Sequence, residues 1–233
     1  MDDRPALPHT KVAAVITAAG SSQRMGGADK MFALLGEKPL LVRVVDVFQS
    51  CNVIDQIVLV VNKENLEKYQ QLVTEHEWPK ITDVCPGGER RQDSVAAGLS
   101  RLSDCTWVVI HDGARPLVTE DLIHRGLAEA QETGVAAAAV PVTDTIKIAG
   151  DDRLVKYTPP RDNLWAVQTP QVFRFDIITK AYRLISDDVT DDAALVEKLD
   201  YRVKLYMGSY DNIKITTPFD LALAEILWQK RGT

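Results

Sequence analysis

Short apolar runs alternate with amphipathic stretches along most of the chain. Residues 12–17, 56–62 and 107–112 are compact apolar runs of the kind that form strands buried on both faces, 81–85 reads as a short strand and 135–140 as a small-residue strand. Between them, residues 39–48 place apolar side chains at helical spacing behind Pro39, a residue suited to a helix start. Residues 64–77 read as a polar surface helix closed by Trp78-Pro79, and residues 95–102 and 119–132 as two further helices. Strands too apolar to face water, regularly separated by helices, imply an α/β fold: a mostly parallel, Rossmann-like sheet with helices on both faces.

The pattern changes after Pro141. Residues 142–157 alternate like a hairpin around Ala149-Gly150-Asp151-Asp152, and Thr158-Pro159-Pro160-Arg161 leads out, so an excursion from the sheet is expected. Helices are expected at 176–186 and 191–199, and strands at 202–207 and 212–215. A last helix over 221–228 is announced by Thr217 as N-cap, Pro218 at its first position and Asp220 in its first turn. No repeat, low-complexity tract or linker divides the sequence, which reads as one domain, 1–233, with an arm over about 141–165.

Composition narrows the function. An apolar content of 45% excludes a disordered chain, and a net charge of -6 argues against a general nucleic-acid binder, whose affinity comes from neutralising phosphates. Cys51, Cys85 and Cys105 are odd in number and form no C-x-x-C pair, which fits a reducing cytoplasm better than a disulfide framework or a zinc site. No apolar run approaches the ~18 residues of a membrane span, and the first ten residues lack an apolar leader, so no membrane association is expected.

Ligands of such sheets bind at the carboxyl ends of the strands. There the first loop, Ala18-Ala19-Gly20-Ser21-Ser22, carries small side chains and is followed by Arg24 and Lys30; exposed amides and two cations suit a polyphosphate. It matches neither G-x-x-x-x-G-K-S/T nor G-x-G-x-x-G. A second glycine turn, Gly87-Gly88-Glu89, leads to Ser94, and a third strand ends in Asp112 before Gly113-Ala114-Arg115-Pro116. A carboxylate beside a cationic glycine loop suits Mg²⁺ held jointly with phosphates. Asp112 is the first candidate ligand and Asp211 the second; as the other reading, each is a turn aspartate. His111 alternates away from Asp112, while His9, His76 and His124 form no ligand spacing. No Ser/His/Asp or Cys/His arrangement points to covalent catalysis.

Taken in order, Ala18-Ala19-Gly20-Ser21-Ser22-Gln23-Arg24-Met25 with Lys30, Gly87-Gly88-Glu89-Arg90 with Asp93-Ser94, His111 to Pro116, Pro141 to Lys147, Thr169-Pro170-Gln171 and Asp211 to Lys214 resemble the 2-C-methyl-D-erythritol 4-phosphate cytidylyltransferases along the whole chain. The resemblance implies a nucleotidyltransferase-type fold, transfer of CMP from CTP to methylerythritol phosphate with release of pyrophosphate, and Mg²⁺ or another divalent cation as cofactor. It implies Arg24, Lys30 and Lys214 as catalytic cations. Ala18, Ala19, Gly20, Gly88, Glu89, Ser94 and Asp112 fall at nucleotide positions, and Thr145, Arg161, Thr169 and Arg115 at polyol phosphate positions. It also implies that the hairpin wraps a second subunit, so that Arg161 serves the neighbour's site in a homodimer. Ser22, the missing proline before Lys30, Met31 and Glu89 depart from the commoner residues of that family. Ribitol-5-phosphate cytidylyltransferase and a non-catalytic nucleotide-binding regulator are the alternatives.

Overall fold

The computed structural model describes residues 10–20 and 29–231. In chain order it contains β1 (Val12–Ala18), β2 (Leu34–Leu35), β3 (Lys38–Pro39), α1 (Leu40–Ser50), β4 (Gln56–Val61), α2 (Leu66–His76), β5 (Ile81–Pro86), α3 (Arg91–Leu99), β6 (Trp107–Asp112), α4 (Glu120–Thr133) and β7 (Val135–Pro141). There follow β8 (Ile148–Ala149), β9 (Val155–Tyr157), β10 (Trp165–Arg174), α5 (Phe175–Leu184), α6 (Asp192–Glu197), β11 (Lys204–Met207) and α7 (Pro218–Arg231).

Seven strands form one sheet in the order β11-β7-β10-β6-β1-β4-β5. Every neighbouring pair is parallel except those made by β10, which runs antiparallel to both β6 and β7. Register explains where ligands can sit: Thr17 pairs with Asp112, Ala18 with Val61 and Val61 with Pro86, so four strands end along one edge. The period-two alternation of β1 divides the core. Ala14 and Ile16 pack with Leu41, Val45 and Phe48 of α1, Tyr69 of α2 and Ile123 of α4. Ala13 and Val15 pack with Val95 and Leu99 of α3, Ile178 of α5 and Leu195 of α6 on the other face. Helices therefore cover both faces, as the uninterrupted apolar runs require. A third cluster of Leu35, Leu40, Leu117, Ile215 and Ala224 seats α7. No helix among the described residues is long and apolar enough to cross a membrane.

Three elements differ from the sequence reading. Helix α3 begins at Arg91 rather than residue 95, because the Asp93 carboxylate accepts the Arg90 backbone N–H at 3.1 Å and so caps a turn whose polar residues show no apolar period. Residues 212–215 form no strand: Ile213 N–H donates to Asp211 O and Ile215 N–H to Ala114 O, which ties the segment down as a loop. Strand β10 was hidden by the polar run Gln168-Thr169-Pro170-Gln171. Its proline is accommodated where the ladder to β7 shifts register between Val167 and Gln171.

Residues 142–164 leave the sheet as an excursion, closed at its neck by Val142 N–H donating to Leu164 O at 3.0 Å. The hairpin β8–β9 within it is shorter than the alternation suggested, and Leu154, Val155 and Tyr157 are each more than half exposed.

Gly98 shows how tightly the layers approach. A Cβ there would lie 2.5 Å from Val15 Cγ1 and 2.8 Å from Val60 Cγ2. Gly98→Ala gains up to about 1 kcal/mol of helix propensity, but overpacking two fully buried valines costs about 1–3 kcal/mol. The expected outcome is a net loss of about 1–2 kcal/mol, read as a lower urea midpoint with an unchanged slope.

Candidate active site

Where the strands end, a cleft of about 940 Å³ opens between the first loop, the second glycine turn and the segment before α7. Ala18, Ala19, Gly20, Lys30, Gly88, Glu89, Ser94, Asp112 and Lys214 all line it. A Cβ on Gly20 would meet no atom of the described residues within 4 Å. Gly87 has the opposite role: a Cβ would fall 2.4 Å from Ala19 Cβ and 2.6 Å from Ser94 Oγ, so only glycine lets the two loops touch. Ser94 Oγ accepts from Gly88 N–H and donates to Arg90 O, each at 3.2 Å, which fixes the turn. Arg24 lies outside the described residues.

Lys30 is placed by its neighbour. The Asp29 carboxylate accepts from Met31 N–H at 3.1 Å, Asn65 Nδ2 at 3.1 Å and Tyr69 OH at 2.6 Å, anchoring the chain to α2. Lys30 Nζ then donates to Ile215 O at 3.0 Å, linking the first loop to the last.

Asp112 forms the floor and is 6% exposed. Its Oδ1 lies 3.0 Å from Arg91 Nε and its Oδ2 2.8 Å from Lys214 Nζ, with Arg115 Nε at 3.8 Å. Burial alone would raise its carboxyl, but Arg91 and Lys214 outweigh burial and hold it well below the usual carboxylate range. Behind it, Arg91 Nη1 lies 2.8 Å from Asp192 Oδ2, and Tyr182 OH donates to Asp192 Oδ1 at 2.5 Å. Burial pushes the Asp192 carboxyl up against these two partners. Arg91 Nη2 is buried without a hydrogen-bond partner among the described residues.

A neutral chain supports this floor from β10. Asp112 N–H donates to Thr169 Oγ1 at 3.0 Å, and the Thr169 hydroxyl stands 3.1 Å from His111 Nδ1. His111 Nε2 faces Arg115 O at 3.2 Å. With Nε2 as donor and Nδ1 as acceptor, every group in the chain is satisfied. His111 is fully buried, and burial pushes it down to about 4 despite the nearby Asp112 carboxylate, so it is neutral near pH 7. Arg115 Nη1 donates to Asn212 O at 2.7 Å, and Asn212 Nδ2 donates to Thr169 O at 2.8 Å, which locks the loop carrying Lys214 against β10.

Thus Lys30, Asp112 and Lys214 are brought together, and Thr169 and Arg115 stand directly behind them. Thr145 and Arg161 sit on the excursion; both are exposed, and Arg161 Nη1 donates to Thr143 O at 3.0 Å. Asp211 is exposed and does not line the cleft. Asp112 is therefore the buried carboxylate open to a cation there, with Glu64 and Glu89 also lining the cleft. One carboxylate fits Mg²⁺, whose remaining ligands are commonly phosphates and water: Oδ1 of Asp112 accepts from Arg91 and, at 3.5 Å, from the Thr17 hydroxyl, whereas Oδ2 keeps a second lone pair beyond Lys214. Arg91 and Asp192 escaped the sequence reading. The residues alone do not single them out; the glycine turn beside Arg91 is the available signal.

The model of the 2-C-methyl-D-erythritol 4-phosphate cytidylyltransferase family matches residues 12–230. A protein of that name from Dehalococcoides mccartyi is 56% identical over 220 residues, covering 94% of this chain and 97% of its own. One from Alkaliphilus oremlandii is 43% identical over 228 residues, covering 95% and 97%. The crystal structure of 4-diphosphocytidyl-2C-methyl-D-erythritol synthase from Anaerococcus prevotii superposes with a TM-score of 0.85 at 32% identity, over 95% of this chain and 97% of that one. The cytidylyltransferase of Thermus thermophilus gives 0.76 at 32% identity, over 94% and 100%.

Replacing Arg91 by Met leaves Asp112 and Asp192 buried without their shared cation. A loss of about 3–5 kcal/mol is expected by chemical denaturation, partly recovered in Arg91→Met/Asp192→Asn. For His111, the folded state holds its proton more weakly than the unfolded chain, so its contribution is complete above about pH 6.5 and is lost as pH falls towards 4. Wild-type stability should fall by about 1.4 kcal/mol per pH unit from this group in that window, and His111→Gln should remove that slope in urea titrations between pH 7 and pH 4.5.

Proposed function

The chain belongs to the 2-C-methyl-D-erythritol 4-phosphate cytidylyltransferase family, and on that premise we propose how its residues transfer CMP from CTP to 2-C-methyl-D-erythritol 4-phosphate. The products are 4-diphosphocytidyl-2-C-methyl-D-erythritol and pyrophosphate, a step of non-mevalonate isoprenoid precursor synthesis. The observation that carries the reading is the pairing of Lys214 and Arg91 with the buried Asp112 in a cleft that Lys30 and two glycine turns also line.

An alkyl phosphate with a second pKa near ~6 is largely dianionic at neutral pH and attacks the α-phosphorus without a general base. A neutral, fully enclosed His111 agrees with that. One of its oxygens forms the new P–O bond while the bond from the α-phosphorus to the bridging oxygen breaks, and pyrophosphate leaves with that electron pair. The protein's task is alignment and charge screening. Lys30, Arg24 and Lys214 neutralise the phosphates, and the amides around Ala18, Ala19 and Gly20 cradle the triphosphate. Gly88, Glu89 and Ser94 hold the cytosine side. Asp112 aims Lys214 and takes part in holding the divalent cation. Asp112, jointly with the phosphates, would hold Mg²⁺, which would supply further charge neutralisation there. We assign Thr145, Arg161, Thr169 and Arg115 to the polyol phosphate; Thr145 and Arg161 act across a homodimer formed through the arm at about 141–165, whose exposed Leu154, Val155 and Tyr157 suit burial against a second subunit. The remainder of 1–233 is one domain acting in the cytoplasm, without nucleic acid or membrane as partner.

Incubation with CTP and Mg²⁺ should release pyrophosphate with methylerythritol phosphate; turnover only with ribitol phosphate would move the assignment to the ribitol enzyme. Lys30→Ala should lower kcat by about 10²–10³ while thermal unfolding stays close to wild type. Mixed dimers of Arg161→Ala and Lys30→Ala subunits contain one complete site and should regain activity; no recovery argues against a shared site.

A further inference from the structure

Away from the cleft, the end of α1 meets the first turns of α4, and three side chains of different chemistry converge. Cys51, Glu120 and His124 offer a sulfur, a carboxylate oxygen and an imidazole nitrogen, all within 4.8 Å of one another. We propose that these residues form a binding site for Zn²⁺ or a similar borderline-soft divalent cation, separate from the nucleotide cleft, to which none of the three contributes.

Glu120 and His124 are four apart at the start of α4, so they project from one helix face. Cys51 is held rigidly as the C-cap of α1: its N–H donates to Val47 O at 3.1 Å, and its carbonyl accepts from Ile54 N–H and from Lys80 Nζ at 2.7 Å. Its sulfur is already 3.9 Å from His124 Nε2. Ser50 Oγ stands 2.9 Å from Glu120 Oε1 and 2.8 Å from Asp46 O, so its single proton is shared between the helix backbone and that carboxylate. Zinc bonds of about 2.3 Å to sulfur and about 2.0–2.1 Å to nitrogen and oxygen, at tetrahedral angles, put ligand atoms roughly 3.3–3.6 Å apart. Closure therefore requires only rotation of the two exposed side chains towards the fixed cysteine. The donor set selects the ion, since thiolate and imidazole favour zinc over magnesium or calcium. Thiolate and carboxylate together balance a divalent charge. The exposed side leaves a fourth position for water, and Ser50 and Glu120 also line a surface hollow of about 350 Å³ that gives access. Burial pushes the Cys51 thiol up, with Glu120 adding and Lys80 opposing, so metal binding releases a proton there.

Chelator-treated full-length protein titrated with Co²⁺ tests the site. One equivalent should produce a thiolate-to-cobalt charge-transfer band with intense four-coordinate visible bands, both bleached by Zn²⁺. Cys51→Ala should abolish the charge-transfer band, His124→Gln and Glu120→Gln should lose the four-coordinate intensity, and Cys85→Ala should keep both. Should Cys51→Ala prove unfolded by circular dichroism, the two variants of exposed residues decide. Absence of the band in wild type, or a spectrum unchanged in His124→Gln and Glu120→Gln, overturns the proposal. Pyrophosphate release in Mg²⁺ alone should be the same in Glu120→Gln and wild type, which keeps this site's failure distinct from that of the cleft.

Discussion

A buried carboxylate that must remain charged governs the arrangement around it. Asp112 loses most of its hydration at the end of a fully enclosed strand, and an isolated charge there would be neutralised by protonation. Arg91, Lys214 and Arg115 prevent that, and each comes from a different part of the chain: the start of α3, the loop before α7 and the bend after β6. With Lys30, Lys63, Arg90, Arg91 and Lys214 against Glu64, Glu89 and Asp112, the cleft lining is positive in a protein whose net charge is -6. The field that attracts a polyphosphate is thus a property of one cleft, and the acidic remainder discourages indiscriminate binding to nucleic acid.

The same requirement explains the supporting shell. Asp192 and Tyr182 hold Arg91 from behind, and the Thr169, His111 and Asn212 network holds the backbone on either side of Asp112. Charged and hydrogen-bonded groups in a low-dielectric interior hold one another strongly, which fixes the position of Asp112. Preorganisation of this kind lets cations act on phosphates with little rearrangement at the moment of reaction.

Much of this was legible in the residues. Strands β1, β4 and β6, which carry much of the cleft, are buried on both faces, and their runs are visible without any partner; β6 occupies the residues its pattern predicts. Asp112 and Lys30 stand out because loops at strand ends expose their chemistry. Strand β10 was illegible because its polar residues face a network made by three other segments, a tertiary fact with no local period. Arg91 and Asp192 were missed for the same reason: charge looks solvated in sequence until the fold removes the solvent. Cys51 and His124 become neighbours only when α1 lies beside α4.

The neck of the excursion has a consequence for how the protein can change. Residues 142 and 164 are hydrogen-bonded neighbours because β7 and β10 already lie side by side in the sheet. The ends of the intervening segment are thus held together by the sheet's own cooperativity, and closing a longer or shorter segment alters loop entropy only slowly with length. A change of length beyond the neck therefore leaves the registration of β7 against β10 in place.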